Sequence, residues 1–150
     1  EAEIVLALKS GGTALTEREA EDLVWGTGVG CDLTRRDLQR SAKDAGAPWD
    51  MAKGFDASAV LGQLQKGAAL TEEMQLSLSL NGETRQHTAI EDMIWSPAEI
   101  LSGLSRLVKL EPGDLIFTGT PDGVGPLSRG DKVEISATGL PTLNFTISDE

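Results

Sequence analysis

Cysteine and histidine are almost absent from this chain of 150 residues, which contains one of each. The single cysteine, Cys31, cannot form an internal disulfide, and this fits a reducing compartment. Cys31 could act as a nucleophile only with an activating base, but His87 lies far away in the sequence and no second histidine is available. We therefore interpret Cys31 as a packed, inert thiol and His87 as a surface or structural residue.

Long apolar segments and an excess of positive charge are also missing. No run of about 18 apolar residues occurs, so no membrane span is predicted, and no signal peptide is recognisable. The 24 acidic residues outnumber the 13 basic ones and give a formal net charge of -11. Nucleic acids and anionic membranes attract basic surfaces, so this charge argues against both as partners. The sequence therefore predicts a cytoplasmic protein that binds neither.

Length and composition are those of one folded domain. Apolar residues make up 39% of the sequence, and 150 residues are enough to bury a substantial core. The chain begins within a strand-like pattern and without a methionine. We expect a single domain over residues 1–150, preceded in the protein by a further amino-terminal segment.

The hydrophobic pattern predicts many short strands and a few helices, without regular β–α alternation. Residues 76–80 alternate strictly and precede Asn81-Gly82, a dipeptide typical of hairpin turns, so residues 83–88 should return antiparallel. Thr16 and Ser96 are predicted helix caps. Further strands are predicted over residues 4–8, 25–31, 115–118, 132–137 and 143–147, and helical stretches over residues 17–24, 35–45 and 97–108. This pattern favours an α+β fold that is mostly β, with a strongly curved, mixed or mostly antiparallel sheet.

Three carboxylates form the strongest candidate site. Glu1 and Glu3 open a predicted strand, in which residues two apart point to the same face. Asp32 follows the next predicted strand and could add a third carboxylate. Ligation by oxygen alone suits Mg²⁺, Mn²⁺ or Ca²⁺ rather than zinc. Such a cation, together with Arg36 and Lys53, would also supply the local positive charge that an anionic substrate needs on so acidic a protein.

Five sequence blocks resemble, in order and roughly in spacing, the signature of the fumarylacetoacetate hydrolase family. The blocks are Glu1 to Glu3, Asp32 to Gln39, Trp49 to Asp56, Asn81 to Gln86, and Leu115 to Gly125. They extend over almost the whole chain. Residues 48–53 and 92–96 are most similar to the acylpyruvate-hydrolysing branch. The resemblance implies the β-roll of the family's C-terminal domain.

The resemblance also implies roles for individual residues. The residues that match the family's metal ligands are Glu1, Glu3 and Asp32. The residues that match its catalytic and substrate-binding positions are Lys53, Arg36, Gln39 and Thr120. The metal would be Mg²⁺ or Mn²⁺, with Ca²⁺ as a substitute in a crystal. The lysine would face the metal and the substrate, the arginine and glutamine would orient the substrate, and the threonine hydroxyl would reach its carboxylate. The adjacent Arg35 is expected on the surface.

The activity implied by the resemblance is metal-dependent hydrolysis of a carbon–carbon bond in an acylpyruvate such as fumarylpyruvate, during the breakdown of aromatic compounds. The partner would be a small anionic keto acid, and the assembly a homodimer. In the family's hydrolases a His–Glu pair upstream of the Glu-x-Glu strand activates water, and His87 does not match that histidine. Two alternatives therefore stay open. One is an oxaloacetate decarboxylase or keto-acid isomerase that uses the same metal–enolate site, and the other is a non-catalytic fragment or binding module.

Overall fold

The structure, a computed structural model, describes residues 1–68 and 70–148. Over these ranges the strands form two sheets, and every ladder between them is antiparallel. The strands are β1 Ala2–Leu8, β2 Val24–Asp32, β3 Ala59–Leu61, β4 Gln65–Lys66, β5 Gln75–Leu80, β6 Glu83–Ala89, β7 Leu115–Phe117, β8 Lys132–Ala137 and β9 Leu143–Thr146. The first sheet has the order β3-β2-β1-β7, with β4 also paired to β2, and the second has the order β6-β5-β8-β9.

Short helices connect the strands. They are α1 Glu17–Glu21, α2 Arg36–Ala45, α3 Asp50–Lys53, the 3₁₀ helix Ile90–Asp92, and α4 Pro97–Ser105. The predicted caps are confirmed, because the Thr16 and Ser96 side chains accept hydrogen bonds from the backbones of Glu19 and Glu99. The predicted α+β class, mostly β with a few short helices, is confirmed as well. Within the described part of the chain, no helix has the length and apolar character needed to cross a bilayer.

Two predicted helix ends are wrong. The first helix stops at Glu21, and Val24 already belongs to β2, because it pairs with Leu8 of β1. The helix after Ser96 stops at Ser105, so Leu107 and Val108 lie outside its apolar stripe and are 83% and 52% exposed. The periodic pattern continued in both places, but the chain pairs with β1 at Val24 after the first helix and bridges to Gly12 at Leu110 after the second.

The main core lies between the two sheets. Ile4 and Leu6 of β1 and Val29 of β2 are at most 1% exposed, and they belong to one cluster with Leu78 of β5 and Ile135 of β8. Each fully buried aliphatic side chain of this kind contributes roughly 1.5–3 kcal/mol of hydrophobic stabilisation. This burial fixes the register of β1, since a slip by one residue would turn Ile4 and Leu6 away from the core and towards the opposite face of the sheet.

The opposite face of β1 carries Glu3 and is also covered. Glu3 pairs with Gly30 in the ladder between β1 and β2, so the two positions share this outer face. A Cβ atom at Gly30 would lie 2.6 Å from the Phe117 ring and 2.8 Å from the Val5 side chain. Glycine at this position therefore allows the ring of β7 to pack across β1 and β2 beside Glu3.

Candidate active site

The three carboxylates that were predicted as ligands lie together at one end of the first sheet. Glu1 directly precedes β1, Glu3 lies in it next to its first residue, and Asp32 ends the antiparallel β2, so the register brings them to the same end of the sheet. The backbone N–H of Asp32 donates to the carbonyl of Glu1 over 2.9 Å. One carboxylate oxygen from each residue lies within 4.8 Å of the other two. The fold thus assembles an oxygen-rich cluster.

The amino group of Lys53 lies in this cluster. It is 2.5 Å from Glu1 Oε2, 2.5 Å from Asp32 Oδ2 and 2.8 Å from the Thr34 hydroxyl. Lys53 ends the short helix α3, which is tied to the loop after β2 by the bond from Arg35 N–H to the Ala52 carbonyl, 3.0 Å long. Burial lowers the pKa of Lys53, but its hydrogen bonds to the two carboxylates raise the pKa by more. The ammonium form is therefore favoured.

The environments of Glu1 and Glu3 shift their pKa values in opposite directions. Burial raises the pKa of Glu1, but the hydrogen bond and charge of Lys53, with the charge of Arg36, outweigh it and lower the pKa. Burial also raises the pKa of Glu3, where the Gly119 hydrogen bond opposes it only in part and the other two carboxylates add to the rise. Glu3 is 4% exposed, so an ionised form needs a cation nearby.

Arg36 and Gln39 occupy one side of the cluster. Arg36 forms an ion pair with Glu1, and its other guanidinium nitrogen donates to Gln39 Oε1 over 2.9 Å. Both residues lie in the first turn of α2, where positions three apart face the same side. Arg35 points elsewhere, with its guanidinium 4.3 Å from the centre of the Phe55 ring. Of the two neighbouring arginines, the structure places the predicted one at the carboxylates.

The loop that follows β7 closes the cluster from the other side. Thr118 donates to the Ile4 carbonyl from both its backbone, at 3.1 Å, and its hydroxyl, at 3.0 Å. The next N–H, that of Gly119, donates to Glu3 Oε2 over 2.7 Å. Gly119 has a φ of +102°, a conformation that glycine adopts without strain. Thr120 follows directly and is therefore held next to a carboxylate of the cluster.

Two polar residues at the site have no role in the sequence prediction. Thr34 accepts from Lys53, and Gln86 of β6 donates to the Thr120 hydroxyl over 2.8 Å. Both lie within the sequence blocks described above, and that position was the only signal for them. Cys31 is 0% exposed, and burial raises the pKa of its thiol, as expected for an inert cysteine. His87 is exposed on β6 and belongs to the surface, as predicted.

Two cavities adjoin the loop after β7. The larger, of about 860 Å³, contacts the loop at Gly119 and Thr120 and continues along the apolar Ile94 and Trp95, away from the carboxylates. The smaller, of about 380 Å³, reaches Glu1 and is also lined by Gln86 and residues 123–127. The three carboxylates therefore do not line the larger cavity, which meets the cluster only through the loop that binds Glu3.

Comparison with known proteins gives consistent matches along the chain. Residues 1–148 match the family model for the fumarylacetoacetate (FAA) hydrolase C-terminal domain. A fumarylpyruvate hydrolase from Ralstonia sp. is 38% identical over 148 residues, covering 98% of this chain and 77% of that protein. An oxaloacetate tautomerase from Escherichia coli (strain K12) is 42% identical over 142 residues, covering 91% of this chain and 65% of that protein.

A solved structure matches the fold of this chain along its whole length. It is the crystal structure of fumarylpyruvate hydrolase from Pseudomonas aeruginosa in complex with Mn²⁺ and pyruvate, with a TM-score of 0.96 and 43% identity over 100% of this chain and 65% of that one. The chain thus spans less than two thirds of the length of this protein and of the tautomerase. The predicted family β-roll is confirmed by this similarity. With a family model matched over residues 1–148, the chain belongs to the fumarylacetoacetate hydrolase family and carries its C-terminal domain.

Proposed function

We propose that this chain is the catalytic domain of a metal-dependent hydrolase that cleaves a carbon–carbon bond in an acylpyruvate such as fumarylpyruvate. The observation that carries the proposal is the convergence of the Glu1, Glu3 and Asp32 carboxylates beside the Lys53 ammonium. Breaking such a bond leaves negative charge on the departing pyruvate, and a cation beside an ammonium group stabilises that charge. The two fumarylpyruvate hydrolases, at 38% and 43% identity, support this substrate class.

The donor set fits a hard divalent cation. Three carboxylates offer oxygen alone, and Mg²⁺ and Mn²⁺ prefer such ligands while keeping further positions open for water or substrate. Within residues 1–68 and 70–148, the Glu3 carboxylate accepts a single hydrogen bond, from Gly119, although the side chain is almost fully buried. When bound, the metal polarises a substrate carbonyl and stabilises enolate charge. The Pseudomonas complex contains Mn²⁺, and Mg²⁺ or Ca²⁺ would suit the same oxygens.

Lys53 is the group we assign to the leaving carbanion. Its ammonium is held by Glu1, Asp32 and Thr34, so it is fixed before substrate arrives. In the hydrolysis, the hydroxyl of water bonds to the carbonyl carbon of the acyl group. The electron pair of the broken carbon–carbon bond leaves with the pyruvate enolate, which then takes up a proton. A fixed positive charge lowers the barrier because it needs no reorganisation as that charge develops.

Arg36, Gln39 and Thr120 are assigned to substrate binding. The Arg36 guanidinium is suited to a bidentate bond with a carboxylate, and Gln39 fixes one of its nitrogens at 2.9 Å. Thr120 lies on the opposite side of the cluster, next to the Gly119 N–H. A small keto acid with a carboxylate could therefore be held between the two sides, beside the metal ligands.

The second candidate function is isomerisation or decarboxylation of oxaloacetate on the same site. The oxaloacetate tautomerase from Escherichia coli, at 42% identity, supports the isomerisation. Enolisation needs a cation and a fixed positive charge, as carbon–carbon hydrolysis does, but it needs no attacking water. The two functions therefore differ in water activation rather than in the residues described above.

Substrate assays separate these possibilities. The full-length protein should consume fumarylpyruvate and release pyruvate with Mn²⁺ or Mg²⁺ present, and chelation should stop the reaction. Oxaloacetate assayed in parallel should react more slowly. Turnover of oxaloacetate without turnover of fumarylpyruvate would replace the first function with the second, and metal-independent rates on both substrates would contradict both.

Two exposed apolar side chains bear on the oligomeric state of the protein. Ile94 and Trp95 are 95% and 58% exposed, and adjacent apolar side chains of this size are typical of a protein–protein contact. We propose a homodimer, acting in the cytoplasm during the breakdown of aromatic compounds. Light scattering should give twice the chain mass at micromolar concentration, whereas a constant monomer mass would contradict the dimer.

A further inference from the structure

Gln86 joins three parts of the molecule through one buried side chain. It lies on β6 and is 2% exposed. Its Oε1 accepts from the backbone N–H of Ala2 over 2.9 Å, and its Nε2 donates to the Thr120 hydroxyl over 2.8 Å and to the Pro121 carbonyl over 2.9 Å. Ala2 stands between Glu1 and Glu3. One amide therefore connects the strand that carries two carboxylates with the loop that carries Thr120.

The chemistry of the partners fixes the orientation of this amide. The Ala2 N–H can only donate a hydrogen bond and the Pro121 carbonyl can only accept one, so the oxygen of Gln86 faces Ala2 and the nitrogen faces the loop. The same nitrogen faces Thr120, which must therefore act as the acceptor in that bond.

This bond determines what the Thr120 hydroxyl can offer to a ligand. A hydroxyl has one proton to donate, and in accepting from Gln86 it keeps that proton for another partner. Among the residues that the structure describes, the Thr120 hydroxyl accepts the bond from Gln86 and donates none. The neighbouring Gly119 N–H already donates to Glu3. The hydroxyl thus remains a donor beside the carboxylate cluster.

The loop is packed closely enough on β6 to hold this arrangement. A Cβ atom at Gly123 would lie 2.1 Å from the Arg85 carbonyl oxygen, and the φ of Gly123 is +98°. Glycine at this position allows the loop to lie directly against the backbone next to Gln86. The amide and its two loop partners are therefore fixed by main-chain contact and not only by side-chain rotamers.

We propose that Gln86 is a positioning residue that keeps the Thr120 hydroxyl as a hydrogen-bond donor for an anionic oxygen of the keto-acid substrate. The proposal rests on the proposed function, since it needs a keto acid at the carboxylate cluster. Gln86 acts through Thr120 rather than by direct contact with the substrate. If Gln86 were only a structural bridge, replacing it would weaken ligand binding whether or not the Thr120 hydroxyl is present. A positioning role predicts that this effect disappears when the hydroxyl is absent.

A double-mutant cycle on the full-length protein tests this coupling, with pyruvate as the probe and Mn²⁺ present. Thr120→Val should weaken pyruvate binding about tenfold or more, the ratio that one hydrogen bond to a charged group is worth, and Thr120→Ser should restore it. Gln86→Met should weaken it by a similar or smaller ratio. The double variant should bind pyruvate within about twofold of Thr120→Val alone, because coupled residues are not additive.

The controls separate positioning from folding. Mn²⁺ affinity without pyruvate should stay within about twofold in all variants, and Gln75→Glu, on an exposed glutamine of β5, should change neither affinity. Should Gln86→Met fail to fold, Gln86→Glu replaces it, since a carboxylate keeps the acceptor for Ala2 but cannot donate to Thr120. The proposal would be overturned if Gln86→Glu bound pyruvate as tightly as the wild type. It would also be overturned if the affinity losses of the two single variants multiplied in the double variant. A wild-type protein that binds Mn²⁺ but no pyruvate would overturn the proposed function with it.

Discussion

The ammonium nitrogen of Lys53 lies 2.5 Å from a carboxylate oxygen of Asp32, joining the end of a short helix to the end of a central strand. The same nitrogen also contacts Glu1. Three carboxylates and two nearby cations leave the cluster with an excess of one negative charge when all are ionised. Without a metal, the site is thus largely neutralised by its own lysine and arginine, and a divalent cation would share the carboxylates with them.

Replacing Asp32 by Asn should abolish detectable Mg²⁺ or Mn²⁺ binding. The amide is a neutral ligand, and it would leave two carboxylates, of which Glu1 is already paired with Arg36 and Lys53. Titration calorimetry on the full-length protein checks this directly. Glu134→Gln, which removes an exposed carboxylate on β8, is the matched control and should bind metal normally. Equal affinity in the two variants would show that the ion is held elsewhere.

Loss of the Lys53 charge should affect turnover more than binding. In Lys53→Met, kcat and kcat/KM should fall by similar factors of about 10²-fold or more, by comparison with the loss of one transition-state donor. Metal affinity should not decrease, because the removed ammonium competes with the metal for Glu1 and Asp32. Steady-state kinetics and calorimetry on one preparation give both quantities. Normal turnover with only a raised KM would limit Lys53 to a role in binding.

A methyl group at Gly30 should destabilise the fold. The Cβ of Gly30→Ala would overlap with the Phe117 ring and the Val5 side chain, and overpacking of this kind costs about 1–3 kcal/mol in the free energy of unfolding. Gly103→Ala is the control, because the nearest atom to its Cβ, in Trp95, is 3.8 Å away and Gly103 lies within α4. That change should stabilise the protein by about 0.4–1 kcal/mol. Urea denaturation measures both, and equal stability of the two variants would contradict the packing argument.

The Asp131 carboxylate should stabilise the fold in a pH-dependent way. A hydrogen bond from Asn81, at 2.8 Å, and one from the Ser128 backbone, at 2.7 Å, lower its pKa. Its contribution is therefore complete above the unfolded pKa of about 3.9 and is lost as the pH falls through the lower folded value. The stability difference between wild type and Asp131→Asn should shrink over that range in urea titrations. In an Asn81→Gly background, which suits the positive φ of 54°, the dependence should weaken.

The local features of the fold were predictable from the sequence. The caps at Thr16 and Ser96 and the hairpin at Asn81-Gly82, whose φ values are +54° and +85°, depend on residues close together in the chain. The segment between Lys53 and Leu64 gave no clear pattern. It contains the three-residue strand β3, which is defined by its pairing with β2 rather than by its own composition.

The candidate site was predictable as a set of residues but not as a network. The sequence blocks pointed to Arg36 rather than Arg35, and the structure places Arg36 on Glu1 and Arg35 on Phe55. The bonds from Gln86 to Ala2 and to Thr120 join residues 84 and 34 positions apart in the chain. No periodicity or spacing encodes such contacts, because they depend on the packing of one sheet against the other.

The bond between Gly119 and Glu3 also has a consequence for folding. It joins residues 116 positions apart, across the pairing of β1 with β7. Chain segments that distant meet late and slowly, because closing so long a loop costs entropy before any contact forms. Until the loop after β7 reaches β1, the Glu3 carboxylate lacks this amide. Any ligand that needs the complete cluster would then bind the finished fold alone, and its stabilisation of that fold would grow with the logarithm of ligand concentration above Kd.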